Sequence, residues 1–127
     1  MAQKQARPSK PISPSTHGLL DYGLAAANLL VPRAFGMSRR ARRLFAAFGL
    51  VQGGLNALTV QPFAVSRVVP FPLHGTIDKS SAPLFFALPP LLGLTRQRKA
   101  CIWWLLTGAA LVVVYNLTDW NAKPTSR

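Results

Sequence analysis

His17-Gly18-Leu19-Leu20-Asp21 returns as His74-Gly75-Thr76-Ile77-Asp78, and each copy opens a long apolar run. The register holds beyond the two strings. Pro32 and Pro89 follow their histidines at one interval, and so do Gly36 and Gly93, while Ser38-Arg39 answers Thr95-Arg96. Self-similarity at a fixed spacing marks a repeat architecture, so the chain reads as a tandem duplication of a unit of about 57 residues. Repeat 1 covers about 17–60 and repeat 2 about 74–120.

Outside the repeats the chain is polar. Residues 1–16 are rich in Pro, Ser and basic side chains and read as a disordered tail, and 121–127 form a short polar tail. Half of the 127 residues are apolar, and the mean hydropathy is +0.23. Fifteen Lys and Arg face only three acids, Asp21, Asp78 and Asp119. A soluble protein of this charge would carry many more residues of both signs. Apolar runs with basic ends suggest membrane spans instead. The net charge of +12 does not indicate nucleic-acid binding, because the cations sit at the ends of apolar runs and the aromatics lie inside them. The single Cys101 excludes an intrachain disulfide, and no paired-thiol spacing exists for a zinc ribbon or redox motif.

Four runs of 17–19 residues are expected to span, near 18–35, 44–60, 76–94 and 100–117. Thr16 is the expected N-cap of the first, with Asp21 in its first turn. Gly49, Gly53 and Gly54 give the second a small-residue stripe suited to close helix contact. Gln52 and Asn56 lie four apart and must face neighbouring helices, since a polar group turned to lipid is costly. Pro83 and Pro89-Pro90 predict a bent or broken third helix. Trp103 and Trp104 stand where interfacial aromatics stand. The fold class is therefore all-α: a membrane four-helix bundle made of two tandem helix hairpins. The alternative is a very hydrophobic soluble bundle, which would show a charged helix face.

Loop charge sets orientation. The turns 37–43 and 95–99 hold Arg39, Arg40, Arg42, Arg43, Arg96, Arg98 and Lys99, so they are assigned to the cytoplasm and both termini to the outside of a cell membrane. These seven cations serve either as a topology signal or as contacts to anionic lipid headgroups. An even number of crossings brings His17, Asp21, His74, Asp78 and Asp119 to one membrane face, opposite the arginines. Residues at i and i+4 are neighbours on a helix, so each His meets its own Asp, and packing of the halves about a pseudo-two-fold axis would bring the two pairs together. Three readings are open: Asp and His stabilising helix starts, a proton or polar-ligand site, and a metal site. The spacing does not demand a metal and lacks the zincin pattern, so no metal and no cofactor are assigned. A His-x-x-x-Asp string is also known from acyltransferases, but those are much larger enzymes with a substrate tunnel. No nucleophile elbow or phosphate-cradling loop is present, so no enzyme activity is expected.

Val31-Pro32-Arg33-Ala34-Phe35-Gly36 and Leu88-Pro89-Pro90-Leu91-Leu92-Gly93 resemble the Ser-Pro-Trp segment of small bacterial four-span proteins with SPW repeats. Proline and glycine match in both copies, serine and tryptophan in neither. Tyr115-Asn116-Leu117-Thr118-Asp119-Trp120 is similar to that family's close to a half, with Leu58-Thr59 as a worn counterpart. The resemblance implies a bacterial integral membrane protein and supplies no catalytic residues. The expected role is structural or in assembly, with a homo-oligomer or another membrane protein as partner. The alternative is a small transporter or proton- or ion-handling protein that uses the two His–Asp pairs.

Overall fold

A computed structural model describes residues 9–124. Those residues form α1 (Pro14–Ala34), α2 (Arg39–Leu58), α3 (Phe71–Leu91) and α4 (Arg98–Leu117), with a short 3-10 turn at Leu94–Arg96 before α4. The expected all-α four-helix architecture is present. Residues 1–8 of the tail and the last residues of the C-terminal tail lie outside the described residues, while Pro14–Thr16, expected in the disordered tail, form the first turn of α1.

Local chemistry sets the helix ends. Ser13, not Thr16, caps α1: its Oγ accepts the Thr16 amide at 3.2 Å, and Pro14 occupies the first turn, where a missing N–H costs nothing. Asp21 therefore lies about two turns into the helix rather than in its first turn. Ser38 caps α2 in the same way through the Ala41 amide. The chain leaves α1 and α3 through Gly36 (φ +63°) and Gly93 (φ +73°), in the left-handed region that a side chain disfavours. Pro83, Pro89 and Pro90 all lie within α3, which runs unbroken to Leu91. Of the expected bend or break, the break is therefore absent.

The basic turns brace one another. Lys99 Nζ donates to the Phe35 carbonyl at the end of α1 (3.0 Å), and Arg40 Nη1 donates to the Leu92 carbonyl at the end of α3 (3.1 Å). A cation on the open carbonyls of a helix C-terminus satisfies both hydrogen bonding and the helix dipole. Between these turns lies a small apolar core of Met37, Ala41, Phe45, Leu94 and Ala100, with Leu44, Phe48, Trp103 and Trp104 packed around it. The tryptophans are held from inside the bundle: Trp103 Nε1 donates to Asn28 Oδ1 and Trp104 Nε1 to the Phe85 carbonyl.

The two hairpins close differently. In α1–α2 a Cβ at Gly49 would come within 2.7 Å of the Ala25 carbonyl oxygen, so backbone meets backbone. In α3–α4 the glycine at the corresponding place, Gly108, meets the Phe86 ring instead, where a Cβ would come within 2.8 Å. Aromatic rings separate that pair.

The interior of this bundle is unusually polar. Nine polar side chains are buried among the described residues, against eight apolar ones. Meanwhile Leu30, Leu50, Val51, Leu91 and Leu106 are each more than 60% exposed, together with many other large aliphatic residues. Among the described residues α4 alone is both long and apolar enough to cross a bilayer. The other three carry more polar side chains: α1 holds His17, Asp21 and Asn28, α2 opens on four arginines, and α3 includes Asp78-Lys79-Ser80-Ser81.

Candidate functional site

The start of α1, the start of α3 and the ends of α2 and α4 meet at one end of the bundle. The segment before α1 is pinned to the end of α4: the Ile12 amide donates to the Leu117 carbonyl (3.0 Å) and the Asp119 amide to the Ile12 carbonyl (2.9 Å). The segment before α3 is pinned to the end of α2 by the same two bonds, from the Val69 amide to the Leu58 carbonyl and from the Val60 amide to the Val69 carbonyl, each 2.8 Å. These clamps fix where α1 and α3 begin, and hence where His17 and His74 stand.

The glycine after each histidine admits a neighbour. A Cβ at Gly18 would come within 2.5 Å of Gln61 Oε1, and one at Gly75 within 2.6 Å of the Trp120 ring. Gln61 stays in place by donating to the Asn56 carbonyl and accepting the Phe63 amide. Trp120 lies across the site, edge-to-face with the His17 ring at 4.6 Å and tilted against Phe71 at 4.9 Å, so the two aromatics roof it.

Beneath that roof the two His–Asp pairs converge. His17 Nε2 lies 3.2 Å from Asp21 Oδ2 and 3.9 Å from Asp78 Oδ2. His74 Nε2 lies 3.1 Å from Asp21 Oδ2 and 3.2 Å from Asp78 Oδ2. One ligand atom from each residue lies within 4.8 Å of all the others, so these four residues are able to hold an ion. His17, Asp21 and His74 are buried, whereas the Asp78 side chain keeps 31% of its surface exposed.

The far side of each ring determines what the near side offers. His74 Nδ1 lies 2.7 Å from Thr59 Oγ1, and His17 Nδ1 lies 2.9 Å from Thr118 Oγ1. Each hydroxyl donates to the carbonyl four residues back, Thr59 to Leu55 and Thr118 to Val114. A hydroxyl has one proton, and a carbonyl can only accept. Each threonine must therefore accept from its histidine, which places a proton on both Nδ1 atoms. In the neutral rings both Nε2 atoms then present lone pairs to the carboxylates. None of the close Nε2–oxygen approaches has hydrogen-bond geometry: His17 Nε2, His74 Nε2 and Asp21 Oδ2 are all buried without a hydrogen-bond partner. Asp21 is itself oriented, because its Oδ1 accepts from Gln52 Nε2 at 3.1 Å.

Of the five residues grouped from sequence, four form this quartet. Asp119 is at the same end but outside it, with Oδ1 accepting the Asn121 amide in a local turn. Gln52 and Asn56 do face neighbouring helices, as their spacing required: Asn56 Nδ2 donates to the Gly18 carbonyl. The supporting residues Thr59, Thr118, Gln61 and Phe71 were not singled out from sequence. The Leu-Thr pair closing each even helix is the signal that could have found the first two. At the opposite end, Arg39, Arg40 and Arg43 line an open cavity of about 540 Å³ with Leu44, Ala47 and Leu92, while Arg96, Arg98 and Lys99 are exposed.

Comparison with protein-family models, with curated proteins and with solved structures gives no match to this chain.

Proposed function

We propose that the chain is a small integral membrane protein, a bundle of two tandem helix hairpins solvated by lipid, whose buried His–Asp quartet binds a cation and ties the hairpins together. One observation carries this reading: the polarity is inverted, with leucines and valines outward and histidine, aspartate, asparagine and threonine inward. In water such a surface would drive association, whereas in hydrocarbon it is the stable arrangement and polar side chains must turn inward. The duplication is supported by contacts that recur in pairs. His17–Thr118 answers His74–Thr59, Gly18–Gln61 answers Gly75–Trp120, and Lys99–Phe35 answers Arg40–Leu92.

The basic turns 37–43 and 95–99 face the cytoplasm in this reading and meet anionic headgroups, with the quartet at the outer face. The likeness to SPW-repeat proteins, carried by Pro32, Gly36, Pro89 and Gly93, belongs to the same proposal. A second reading, in which the quartet passes an ion on rather than keeping it, is favoured by Asp78. That residue borders a cavity of about 480 Å³ between α2, α3 and α4, which Asn28, Gln52 and Asn116 also line.

Alkaline carbonate extraction of native membranes tests the main reading. The full chain should stay in the pellet, and with Cys101 replaced by alanine, single cysteines placed at Ser66 and Asn121 should label from one side while a cysteine at Arg43 labels from the other. Release into the supernatant, or labelling of Ser66 and Arg43 variants from the same side, defeats it.

A further inference from the structure

We infer that His17, Asp21, His74 and Asp78 form a four-coordinate site for a divalent first-row transition-metal ion of the zinc type. The inference deepens the cation-site reading above and does not depend on the lipid environment.

Its first support is the unpartnered cluster at the centre: His17 Nε2, His74 Nε2 and Asp21 Oδ2 are buried without a hydrogen-bond partner. With neutral rings the two imidazoles and two carboxylates form a buried set of acceptors, which is unfavourable without a positive charge among them. A bound cation supplies that charge, and protonation of the imidazoles beside the carboxylates at 3.1–3.2 Å is the alternative that the metal-content measurement separates from it.

The second is size. An ion bonded tetrahedrally at about 2.0–2.1 Å separates its ligand atoms by about 3.3–3.4 Å. Three of the four nitrogen–oxygen edges already measure 3.1–3.2 Å. The long nitrogen–oxygen edge, 3.9 Å, belongs to Asp78, the ligand with the most freedom to move, and since the full set spans up to 4.8 Å an ion would draw the four atoms closer together.

The third is the outer shell. Ligating histidines commonly hold their other nitrogen in a hydrogen bond that fixes the tautomer and orients the ring. Thr59 and Thr118 do this here, and Gln52 holds the spare oxygen of Asp21. Asp78 has no such partner among the described residues, which makes it the ligand that opens to let an ion in.

The donor set selects the class of ion. Two imidazoles suit zinc, iron, nickel or copper(II), and with no thiolate there is no preference for copper(I). Calcium takes six to eight oxygens, and magnesium retains several waters in an octahedron, so neither suits two nitrogens and two carboxylates under an aromatic roof. Two carboxylates balance one divalent charge.

The full-length protein, purified in detergent and stripped with chelator, is dialysed against Zn²⁺ or Co²⁺ and its metal content measured by mass spectrometry. The wild type should retain one ion per chain, and the Co²⁺ form should show the visible absorption of a four-coordinate site. His17→Ala with His74→Ala should abolish retention. Because that variant stands to lose its fold, Thr59→Val and Thr118→Val are measured alongside at unchanged elution volume, and each should weaken affinity about 10- to 100-fold. A wild type retaining less than half an equivalent overturns the inference, as does unchanged affinity in both threonine variants. A protein that resists carbonate extraction but holds no metal refutes the inference and leaves the lipid reading standing. One that binds the ion but is released by carbonate does the reverse.

Discussion

At one end of the bundle Met37, Ala41, Phe45, Leu94 and Ala100 fill the space between two tight turns. At the other, directed contacts hold the site from its far side: Thr118 and Thr59 fix the rings of His17 and His74, and Gln52 fixes Asp21. The first end is held by volume and the second by direction. Volume tolerates a different side chain of similar size, whereas a directed contact does not tolerate a side chain of the same size without its polar atom. The two ends should therefore respond oppositely to truncation and to isosteric exchange.

The largest effect is expected from Phe45→Ala, which empties the apolar end. It should lower unfolding free energy by roughly 3–5 kcal/mol, read from a denaturant melt in detergent, while Phe45→Leu should cost much less. Similar losses from both variants would mean that this end is also directional. Next comes Gly49→Ala. Its Cβ would press on the Ala25 carbonyl, a backbone atom that cannot rotate away, and should cost about 1–3 kcal/mol. Gly108→Ala should cost less, since a Phe86 ring has somewhere to turn. Equal costs would remove the distinction between the hairpins.

At the polar end, Thr59→Val and Thr118→Val keep their volume but strand a buried Nδ1 proton. In the metal-free protein each should cost about 1–3 kcal/mol, and the two costs should match because the contacts match. A loss confined to one of them would show that only one histidine is held in this way. The smallest effect is expected at the brace between the turns. Arg40→Ala and Lys99→Ala remove exposed caps and should each cost about 0.3–1 kcal/mol, shrinking further at high salt.

Much of this arrangement was legible in the chain. The even number of helical runs between His17 and His74 predicted that both His–Asp pairs would share one end, and Gly36 and Gly93 marked the turns. The residues that complete the site were harder to read. Thr59 and Thr118 act across the bundle on a histidine far away in sequence, and a threonine after an apolar helix carries no local sign of its partner. The start of α1 was misread because Thr16 and Ser13 are both sound caps by type. The backbone clamp at Ile12, a non-local contact, decides between them. The prolines of α3 do not break it: Pro89 lacks the N–H that would bond the Phe85 carbonyl, and Trp104 Nε1 donates to that carbonyl from α4, a partner that local sequence does not show.

The crossing of threonines and histidines between halves has a further consequence. His17 leans on Thr118 and His74 on Thr59, so neither half owns a finished imidazole. A chain severed in the 61–73 loop would leave two fragments, each lacking what the other carries. Such fragments should seek one another, and a lone first half could satisfy itself only by pairing with a twin.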